Sequence, residues 1–294
     1  MPATRVRLPL AAALAGLVAV GAGCSEDPPT KDEPEAPRGP AYVAFGDSFT
    51  AAPGVPVTET LSGCARSDHN YVAQVASLLA VTVEDASCGG ATTLNVTETQ
   101  VTIAGPVAPQ LDALSRDTQL VTVGLGANDQ DVYVTLFSTC VAMAATDPQG
   151  APCQAANATS AGGDLLLDEM PTIEERLVGA LGQIMERAPD AEVVLVGYPQ
   201  LVPESGSCSA LPLAIGDYAY ARRVWTALGT AMADAAERAD VTYLDLTGPS
   251  EGHDICAGAE AWVNGATGHE ARAAAYHPFA EEQAAVAALI AAED

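Results

Sequence analysis

The sequence predicts an α/β fold built around a parallel sheet. From about Ala41 onward, short apolar runs typical of strands alternate with longer segments whose apolar residues recur at helical spacing. Several strand candidates are apolar throughout, residues 193–196 among them, as expected for strands that helices cover on both faces. Because no repeat and no change of composition interrupts this part of the chain, a single domain is predicted for residues 41–294.

The strand and helix candidates follow in regular order. Strands are predicted at residues 42–45, 82–85, 120–125, 192–197 and 241–246. Helices are predicted around residues 71–79, 173–188 and 218–235, with a last one beginning at Pro278. Thr172 and Glu175 have the spacing of a capping box at the start of the second of these helices. The stretches 137–168 and 202–211 are predicted to be irregular.

The amino terminus predicts export. Arg5 and Arg7 precede an apolar run that ends in small residues, which is the pattern of a secretory signal peptide. Residues 1–23 are therefore predicted to be removed from the mature protein. The run contains Pro9 and several glycines, so it is poorly suited to remain as a membrane span.

Cys24 is the candidate for lipid attachment. The preceding residues 21–23 resemble a bacterial lipobox, although Gly21 stands where an aliphatic side chain is usual. A lipid-bearing Cys24 would begin the mature chain, and plain secretion is the alternative. Residues 24–40 are rich in proline and acidic side chains. They are predicted to form an extended tether, or else a frayed terminus without a role.

The overall charge limits the partners that the protein can bind. The chain has 38 acidic against 12 basic residues, and its formal net charge is −26. Electrostatic binding to nucleic acid or to anionic lipid requires clustered Lys and Arg, and the sequence has no such cluster. We therefore expect no nucleic-acid partner, membrane contact only through a lipid anchor, and a monomer.

Cysteine usage predicts three disulfides. The chain has 7 cysteines, and all except Cys24 lie in the predicted domain, which suits an exported protein in an oxidising compartment. Six cysteines allow 15 pairings. The pairing of sequence neighbours is our hypothesis, namely Cys64–Cys88, Cys140–Cys153 and Cys208–Cys256. No Cys-x-x-Cys or His-x-x-x-His pattern occurs, so we expect neither a metal nor another cofactor.

Residues that could carry chemistry follow the predicted strands. Ser48 follows the first strand in a Gly-Asp-Ser turn, Gly90 follows the second, and Asn128 follows the third. His277 lies just before the last helix. Because the carboxyl ends of parallel strands share one edge of a sheet, these residues can converge there. Acyl transfer needs this set: a hydroxyl nucleophile, a neutral imidazole, and donors from a glycine N–H and an amide.

These segments resemble the SGNH, or GDSL, hydrolase superfamily. Its first block corresponds to residues 46–48, its second to the glycine within 88–93, its third to 126–129 and its fifth to 277–278. The blocks occur in family order across nearly the whole domain. The chain is similar to the secreted actinobacterial esterases and lipases of this superfamily, which carry three disulfides in neighbour order. The resemblance implies a flavodoxin-like, three-layer α/β/α sandwich with five parallel strands.

The resemblance also implies a role for each site residue. Ser48 would be the nucleophile and His277 the general base. The backbone N–H groups of Ser48 and Gly90, together with the side-chain amide of Asn128, would form the oxyanion hole. Without these partners, Asn128 would be interpreted as a helix cap. The rival α/β-hydrolase motif Gly-x-Ser-x-Gly is absent, because Thr50 occupies its last position.

The sequence departs from the superfamily at the group that orients His277. Ala274 stands where most members have an aspartate, three residues before the histidine. The backbone carbonyl of Ala274 is the first candidate for orienting the ring, and Asp254 is the alternative. A Ser–His pair can still react, because the third group mainly orients the ring and stabilises its charged form.

The function expected from these residues is hydrolysis of carboxylic esters by an exported esterase or lipase. An esterase that removes acyl groups from carbohydrate of the cell envelope is the alternative on the same fold. A non-catalytic surface lipoprotein that uses the same cleft for binding is the alternative from another class. The expected partner is an ester or lipid substrate in both catalytic cases.

Overall fold

The computed structural model describes residues 39–267 and 272–293. The predicted signal peptide, Cys24 and the predicted tether up to residue 38 lie outside the described residues. Within them, the strands in chain order are β1 (Tyr42–Gly46), β2 (Val83–Asp85), β3 (Gln100–Thr102), β4 (Gly105–Val107), β5 (Leu120–Gly124), β6 (Glu192–Val196) and β7 (Thr242–Leu244).

One parallel sheet contains five of these strands, in the order β2-β1-β5-β6-β7. At its centre Tyr42 pairs with Leu120 and Gly46 pairs with Gly124, so β1 and β5 end at the same level. The five predicted strands and their parallel arrangement are therefore confirmed. The other two strands, β3 and β4, form a separate antiparallel hairpin that the sequence analysis did not predict.

The helices in chain order are α1 (Ser48–Ala51), α2 (Tyr71–Leu79), α3 (Val132–Val134), α4 (Cys140–Met143), α5 (Pro152–Asn157), α6 (Met170–Arg187), α7 (Asp217–Ala239) and α8 (Ala280–Glu293). A π turn at Thr135–Thr139 joins α3 to α4, so part of the stretch predicted as irregular is helical. In the part of the chain that the structure describes, no helix is long and apolar enough to cross a membrane.

Alternate residues of the strands face opposite sides of the sheet, and different helices cover each side. On one side, Val43 and Phe45 join a core with the apolar stripes of α6 and α7. On the other side, Tyr42 and Ala44 pack with α2 and α8. The three-layer α/β/α sandwich is therefore confirmed.

Two helices begin at residues other than those predicted. α6 begins at Met170 with Pro171 in its first turn, so Thr172 lies inside the helix and no capping box forms. Proline suits that position because the first turn of a helix needs no N–H from it. α8 begins at Ala280 rather than at Pro278, which instead forms an isolated bridge with Val263.

Three disulfides cross-link the segments between strands and helices. The pairs are Cys64–Cys88, Cys140–Cys153 and Cys208–Cys256, which confirms the predicted pairing. The first pair connects the segment after α1 to the segment after β2, and the third connects the segments after β6 and β7. Such cross-links reduce the conformational freedom of the unfolded chain and so stabilise the loops at this edge of the sheet.

A buried glutamine completes the hydrogen bonding of β1. The strand β2 pairs with β1 only as far as Ala44, and beyond it the N–H of Cys88 donates to the carbonyl oxygen of Gly46 at 3.0 Å, which leaves the N–H of Gly46 without a backbone acceptor on that side. Gln110 Oε1 accepts a hydrogen bond from the N–H of Gly46 at 2.9 Å, and Gln110 Nε2 donates to the carbonyl oxygen of Gly46 at 2.9 Å. Gln110 therefore satisfies the N–H of the residue from which the chain turns toward Ser48, and it adds a second donor to the carbonyl of that residue.

A second buried glutamine attaches α8 to the residue after Ser48. Gln283 Nε2 donates to the carbonyl oxygen of Phe49 at 3.0 Å, and Gln283 Oε1 accepts from the N–H of Tyr71 at 2.7 Å. Beside it, Glu282 is only 2% exposed and accepts a hydrogen bond from Gln283 Nε2 at 2.7 Å. Burial raises the pKa of the Glu282 carboxyl to about 8.

Replacing Glu282 with glutamine should stabilise the protein above pH 5. The carboxyl stays protonated in the folded state up to about pH 8, whereas on unfolding it returns to its ordinary pKa of 4.5. The wild type therefore loses stability as the pH rises between these two values, and Glu282→Gln removes that loss. The advantage of the variant in urea unfolding should grow from a small value near pH 4.5 to roughly 4 kcal/mol near pH 8.

Glu281→Gln is the matched control on the same helix. Glu281 is exposed and paired with Arg272, and such surface pairs contribute at most about 1 kcal/mol. An advantage of Glu282→Gln that stays constant across the pH range would contradict the prediction, because it would not come from the ionisation of the buried carboxyl.

Candidate active site

Ser48 is the first residue of α1, and Asp47 alone separates it from the carboxyl end of β1. The turn requires Gly46, because a Cβ atom there would lie 2.0 Å from Thr50 Oγ1. Only 8% of the Ser48 surface is exposed. The N–H of a first helical residue has no partner within its helix, and no described residue accepts a hydrogen bond from the N–H of Ser48.

Asp47 connects this turn to two other strand ends. Its carboxylate accepts hydrogen bonds from the N–H of Phe49 at 2.8 Å and from the hydroxyl of Tyr198 at 2.6 Å. Asn128 Nδ2 is a more distant donor at 3.5 Å. Asp47 is 1% exposed, and burial raises the pKa of its carboxyl to about 7. Besides capping α1, Asp47 therefore cross-links the segments that follow β5 and β6.

Gly90 and Asn128 lie in the segments that follow β2 and β5. Gly90 has a φ of +78°, a left-handed conformation that favours glycine. Its N–H donates to no other residue that the structure describes. Asn128 Nδ2 donates to the carbonyl oxygen of Ala91 at 3.0 Å, and the side chain makes no cap bond to the 3₁₀ turn Asp129–Asp131. Asn128 precedes this turn, but its side chain does not cap it.

A buried carboxylate holds these two segments together. Asp129 has no exposed surface and accepts hydrogen bonds from the N–H of Thr93 at 2.9 Å and from its hydroxyl at 2.5 Å. Arg176 of α6 lies 3.4 Å from the same carboxylate. Because Thr93 belongs to the Gly90 segment and Asp129 adjoins Asn128, this contact sets the separation of the two segments.

His277 lies in a tight turn just before α8. Its backbone N–H donates to the carbonyl oxygen of Ala274 at 3.2 Å, and its ring Nδ1 lies 2.7 Å from the carbonyl oxygen of Ala275. The prediction that the carbonyl of Ala274 orients the ring is therefore wrong. That carbonyl already accepts hydrogen bonds from the backbone of His277 and from Asn264 Nδ2, so the next carbonyl along the turn faces the imidazole.

Two aromatic side chains pack against the imidazole of His277. The centroid of the ring lies 5.8 Å from that of Phe49, the residue after Ser48, and 5.7 Å from that of Tyr133. Neighbouring ring contacts extend this cluster to Phe137, Tyr198 and Trp225. Burial among these rings lowers the pKa of His277, so the imidazole is neutral at neutral pH.

Tyr198 belongs to the site, although the sequence analysis did not identify it. Its hydroxyl donates to Asp47 Oδ2 at 2.6 Å and accepts from the N–H of Ala127 at 3.1 Å. It therefore connects the turn that carries Ser48 to the segment that carries Asn128. The signal that could have indicated Tyr198 is its position, because it follows the fourth predicted strand at the same edge of the sheet.

Asp254 and His253 form hydrogen bonds elsewhere. The Asp254 carboxylate accepts from the N–H of Cys256 at 2.7 Å and makes no hydrogen bond to His277, so the hypothesis that it orients that ring is also wrong. His253 Nδ1 lies 2.6 Å from the carbonyl oxygen of Glu260. Within residues 39–267 and 272–293, no cluster of three or more His, Cys, Asp or Glu side chains could hold a metal ion.

Comparisons with known proteins identify the family of the chain. Residues 44–284 match the GDSL-like Lipase/Acylhydrolase family. The chain is 37% identical over 220 residues to Lipase 2 of Streptomyces coelicolor, covering 73% of this chain and 72% of the relative. It is 32% identical over 286 residues to an esterase of Streptomyces scabiei, covering 85% of this chain and 83% of the relative.

Solved structures of two Streptomyces enzymes have a similar fold. The extracellular lipase of Streptomyces rimosus superimposes with a TM-score of 0.68 at 26% identity, covering 86% of this chain and 97% of that one. The phospholipase A1 of Streptomyces albidoflavus has a TM-score of 0.70 at 24% identity, covering 87% of this chain and 100% of that one. The chain belongs to the GDSL-like lipase/acylhydrolase family and is a carboxylic ester hydrolase.

Proposed function

We propose that the protein is an exported serine esterase or lipase in which Ser48 attacks the ester and His277 is the general base. The observation that carries the proposal is the contact between His277 Nδ1 and the carbonyl oxygen of Ala275. Because a carbonyl oxygen can only accept, Nδ1 must carry the ring proton, and Nε2 of the neutral ring is left unprotonated. Nε2 is then free to accept the hydroxyl proton of Ser48, the residue next to Phe49, against which the ring packs.

The oxyanion hole in this proposal consists of three N–H donors. The backbone N–H groups of Ser48 and Gly90 have no acceptor among the described residues. One N–H of the Asn128 amide is held by Ala91, and the other has only the long contact of 3.5 Å with Asp47. These donors can bind the oxygen that becomes negative in the tetrahedral intermediate. Loss of one such donor typically raises the barrier by about 3–4 kcal/mol.

The reaction would proceed by acyl transfer in two halves. Ser48 Oγ attacks the acyl carbon while its proton passes to His277 Nε2, and this proton then goes to the alcohol as its bond to the acyl carbon breaks. Water attacks the acyl-serine while His277 takes its proton, which returns to Ser48 Oγ as the carboxylic acid leaves. The imidazolium is stabilised by the dipole of the Ala275 carbonyl rather than by a full negative charge.

Export is the other part of the proposal. The three disulfides suit an oxidising compartment outside the cytosol. The amino-terminal residues have the features of a signal peptide, and the similar lipase of Streptomyces rimosus is described as extracellular. Lipid attachment at Cys24 and the tether function of residues 24–40 remain predictions from the sequence.

Ser48→Ala should abolish hydrolysis of a soluble p-nitrophenyl ester. Removing the nucleophile should lower kcat/KM by a factor on the order of 10⁴ or more, whereas the thermal unfolding midpoint should barely change because a single hydroxyl is lost. A fluorophosphonate should label the wild type and not this variant. Ser207→Ala, at an exposed serine, is the matched control and should keep both labelling and activity. Activity close to wild type in Ser48→Ala would refute the proposal.

The acid limb of the pH–rate profile should lie below pH 6.5, the ordinary pKa of histidine. His277 must be neutral to accept a proton, and burial lowers its pKa. The value of kcat/KM should therefore fall as the pH drops through the lowered pKa, so that the midpoint of the limb lies on the acid side of pH 6.5. Measuring kcat/KM for a soluble ester in a pH-stat tests this expectation.

The contribution of Asp47 to the pH–rate profile must be separated from that of His277, because the carboxyl of Asp47 has a pKa of about 7. In Asp47→Asn, a limb that comes from His277 should persist below pH 6.5. A wild-type limb near pH 7 that disappears in Asp47→Asn would show that the carboxyl, and not the imidazole, controls the profile.

Tyr198→Phe should lower kcat more than it changes KM. The variant loses the hydrogen bonds to Asp47 and Ala127, so the Ser48 turn and the Asn128 segment lose a shared support. Small misplacements of this kind typically cost about 10²-fold in rate, and we expect a decrease in kcat of about 10- to 100-fold with KM within about twofold. Tyr243→Phe, on β7, is the matched control. Equal effects of the two substitutions on kcat would contradict a positioning role for Tyr198.

A further inference from the structure

The β3–β4 hairpin has its polar and apolar residues on the opposite sides from those expected for a soluble protein. Between residues 100 and 109, every exposed position is apolar, and these positions are Val101, Ile103, Ala104, Pro106 and Ala108. The polar side chains point toward the protein instead. Gln100 Nε2 donates to the carbonyl oxygen of Gly89 at 2.8 Å, and Thr102 Oγ1 donates to that of Ser62 at 3.0 Å. A solvated hairpin normally buries its apolar face and exposes its polar face.

The exposed side chains of the hairpin have almost no protein contact. Ile103 is 103% exposed, Val101 is 83% exposed, and Leu61, beside the Ser62 carbonyl that Thr102 contacts, is 93% exposed. Among the residues that the structure describes, no other large apolar side chain is as exposed as these three. We call Leu61, Val101, Ile103 and Pro106 the apolar tip. Apolar surface of this kind marks a contact with a partner or a membrane.

Charge indicates which partner fits the apolar tip. Residues 99–111 contain no charged side chain, although the chain as a whole has a formal net charge of −26. Inserting this segment into an apolar phase therefore dehydrates no charge. The acidic remainder of the protein is repelled by anionic lipid. A zwitterionic lipid surface, which has no net charge, therefore suits both the uncharged hairpin and the acidic remainder.

The location of the hairpin connects the apolar tip to the candidate active site. Gln100, at the base of the hairpin, holds the carbonyl of Gly89, and Gly89 directly precedes Gly90 of the proposed oxyanion hole. Ile103 lies in the two-residue turn between β3 and β4, at the opposite end of the hairpin from Gln100. Seating the tip in a lipid surface would therefore bring that surface to the Gly90 side of the site.

We propose that the apolar tip inserts into the surface of zwitterionic lipid aggregates and so presents ester substrates to Ser48. This inference rests on the proposed function for the role of Ser48, whereas insertion itself requires no turnover. It adds an apolar contact with lipid to the lipid anchor expected at Cys24. The sequence argument from charge disfavours only electrostatic attachment, which the apolar tip does not use.

Binding to phosphatidylcholine vesicles tests the proposal. All proteins begin at Ser25, so that neither the apolar run of residues 8–23 nor a lipid at Cys24 contributes to binding. In flotation, the otherwise unaltered chain should bind, and Val101→Thr/Ile103→Thr should lower its partition coefficient by on the order of 10²-fold. Threonine keeps the β-branched shape, so kcat/KM on a soluble p-nitrophenyl ester should stay within about twofold. Leu165→Thr/Ile215→Thr, at two other exposed apolar positions, is the matched control and should bind like the parent chain.

Three outcomes would overturn the proposal. The parent chain could fail to float with the vesicles, or the hairpin variant could float as well as the parent. The parent chain could also sediment as a dimer that Val101→Thr/Ile103→Thr dissociates, which would assign the tip to a second copy of the chain. Because flotation measures no turnover, an active Ser48→Ala variant would refute the proposed function and leave the vesicle result unchanged.

Discussion

The rest of the site depends on the hydrogen bonds that the buried carboxylate of Asp47 accepts. It accepts hydrogen bonds from Phe49 after β1, from Tyr198 after β6 and, at longer range, from Asn128 after β5. Removing a carboxylate from water is unfavourable, and the raised pKa of Asp47 is the measure of that cost. The hydrogen bonds offset part of it and hold three separate segments in one arrangement before a substrate arrives. Such preorganisation is what stabilises developing charge in acyl transfer.

Buried amides support the same turn from both sides. Gln110 pairs with both backbone groups of Gly46, and Gln283 holds the carbonyl of Phe49, so the residues on either side of Asp47 and Ser48 are fixed by side chains from distant parts of the chain. An amide donates and accepts at once, so it can bond to backbone groups that lack a strand partner without burying a charge. Side chains thereby hold both ends of the turn, although α1 is a single turn of helix.

The large apolar side chains serve two different purposes in this chain. Aromatic residues make up only 5% of the sequence, yet Phe49, Tyr133 and Tyr198 meet beside the candidate site, where Phe49 and Tyr133 cover part of the imidazole of His277. Exclusion of water favours the neutral ring and strengthens the dipoles around it. Aliphatic residues of the β3–β4 hairpin face solvent instead, and the segment around them, residues 99–111, carries no charge.

The sequence by itself determined the periodic elements, the disulfide cysteines and the segments that carry Ser48, Gly90, Asn128 and His277. Strand and helix periods, turn residues and short motifs are local properties, so they can be read from neighbouring residues. Only the tertiary structure decided that Ala275 and not Ala274 faces the imidazole, that Tyr198 bridges two segments, and that the β3–β4 hairpin exposes its apolar side. Each of these depends on which backbone groups remain unpaired after the sheet and turns have formed, and residue spacing does not encode that.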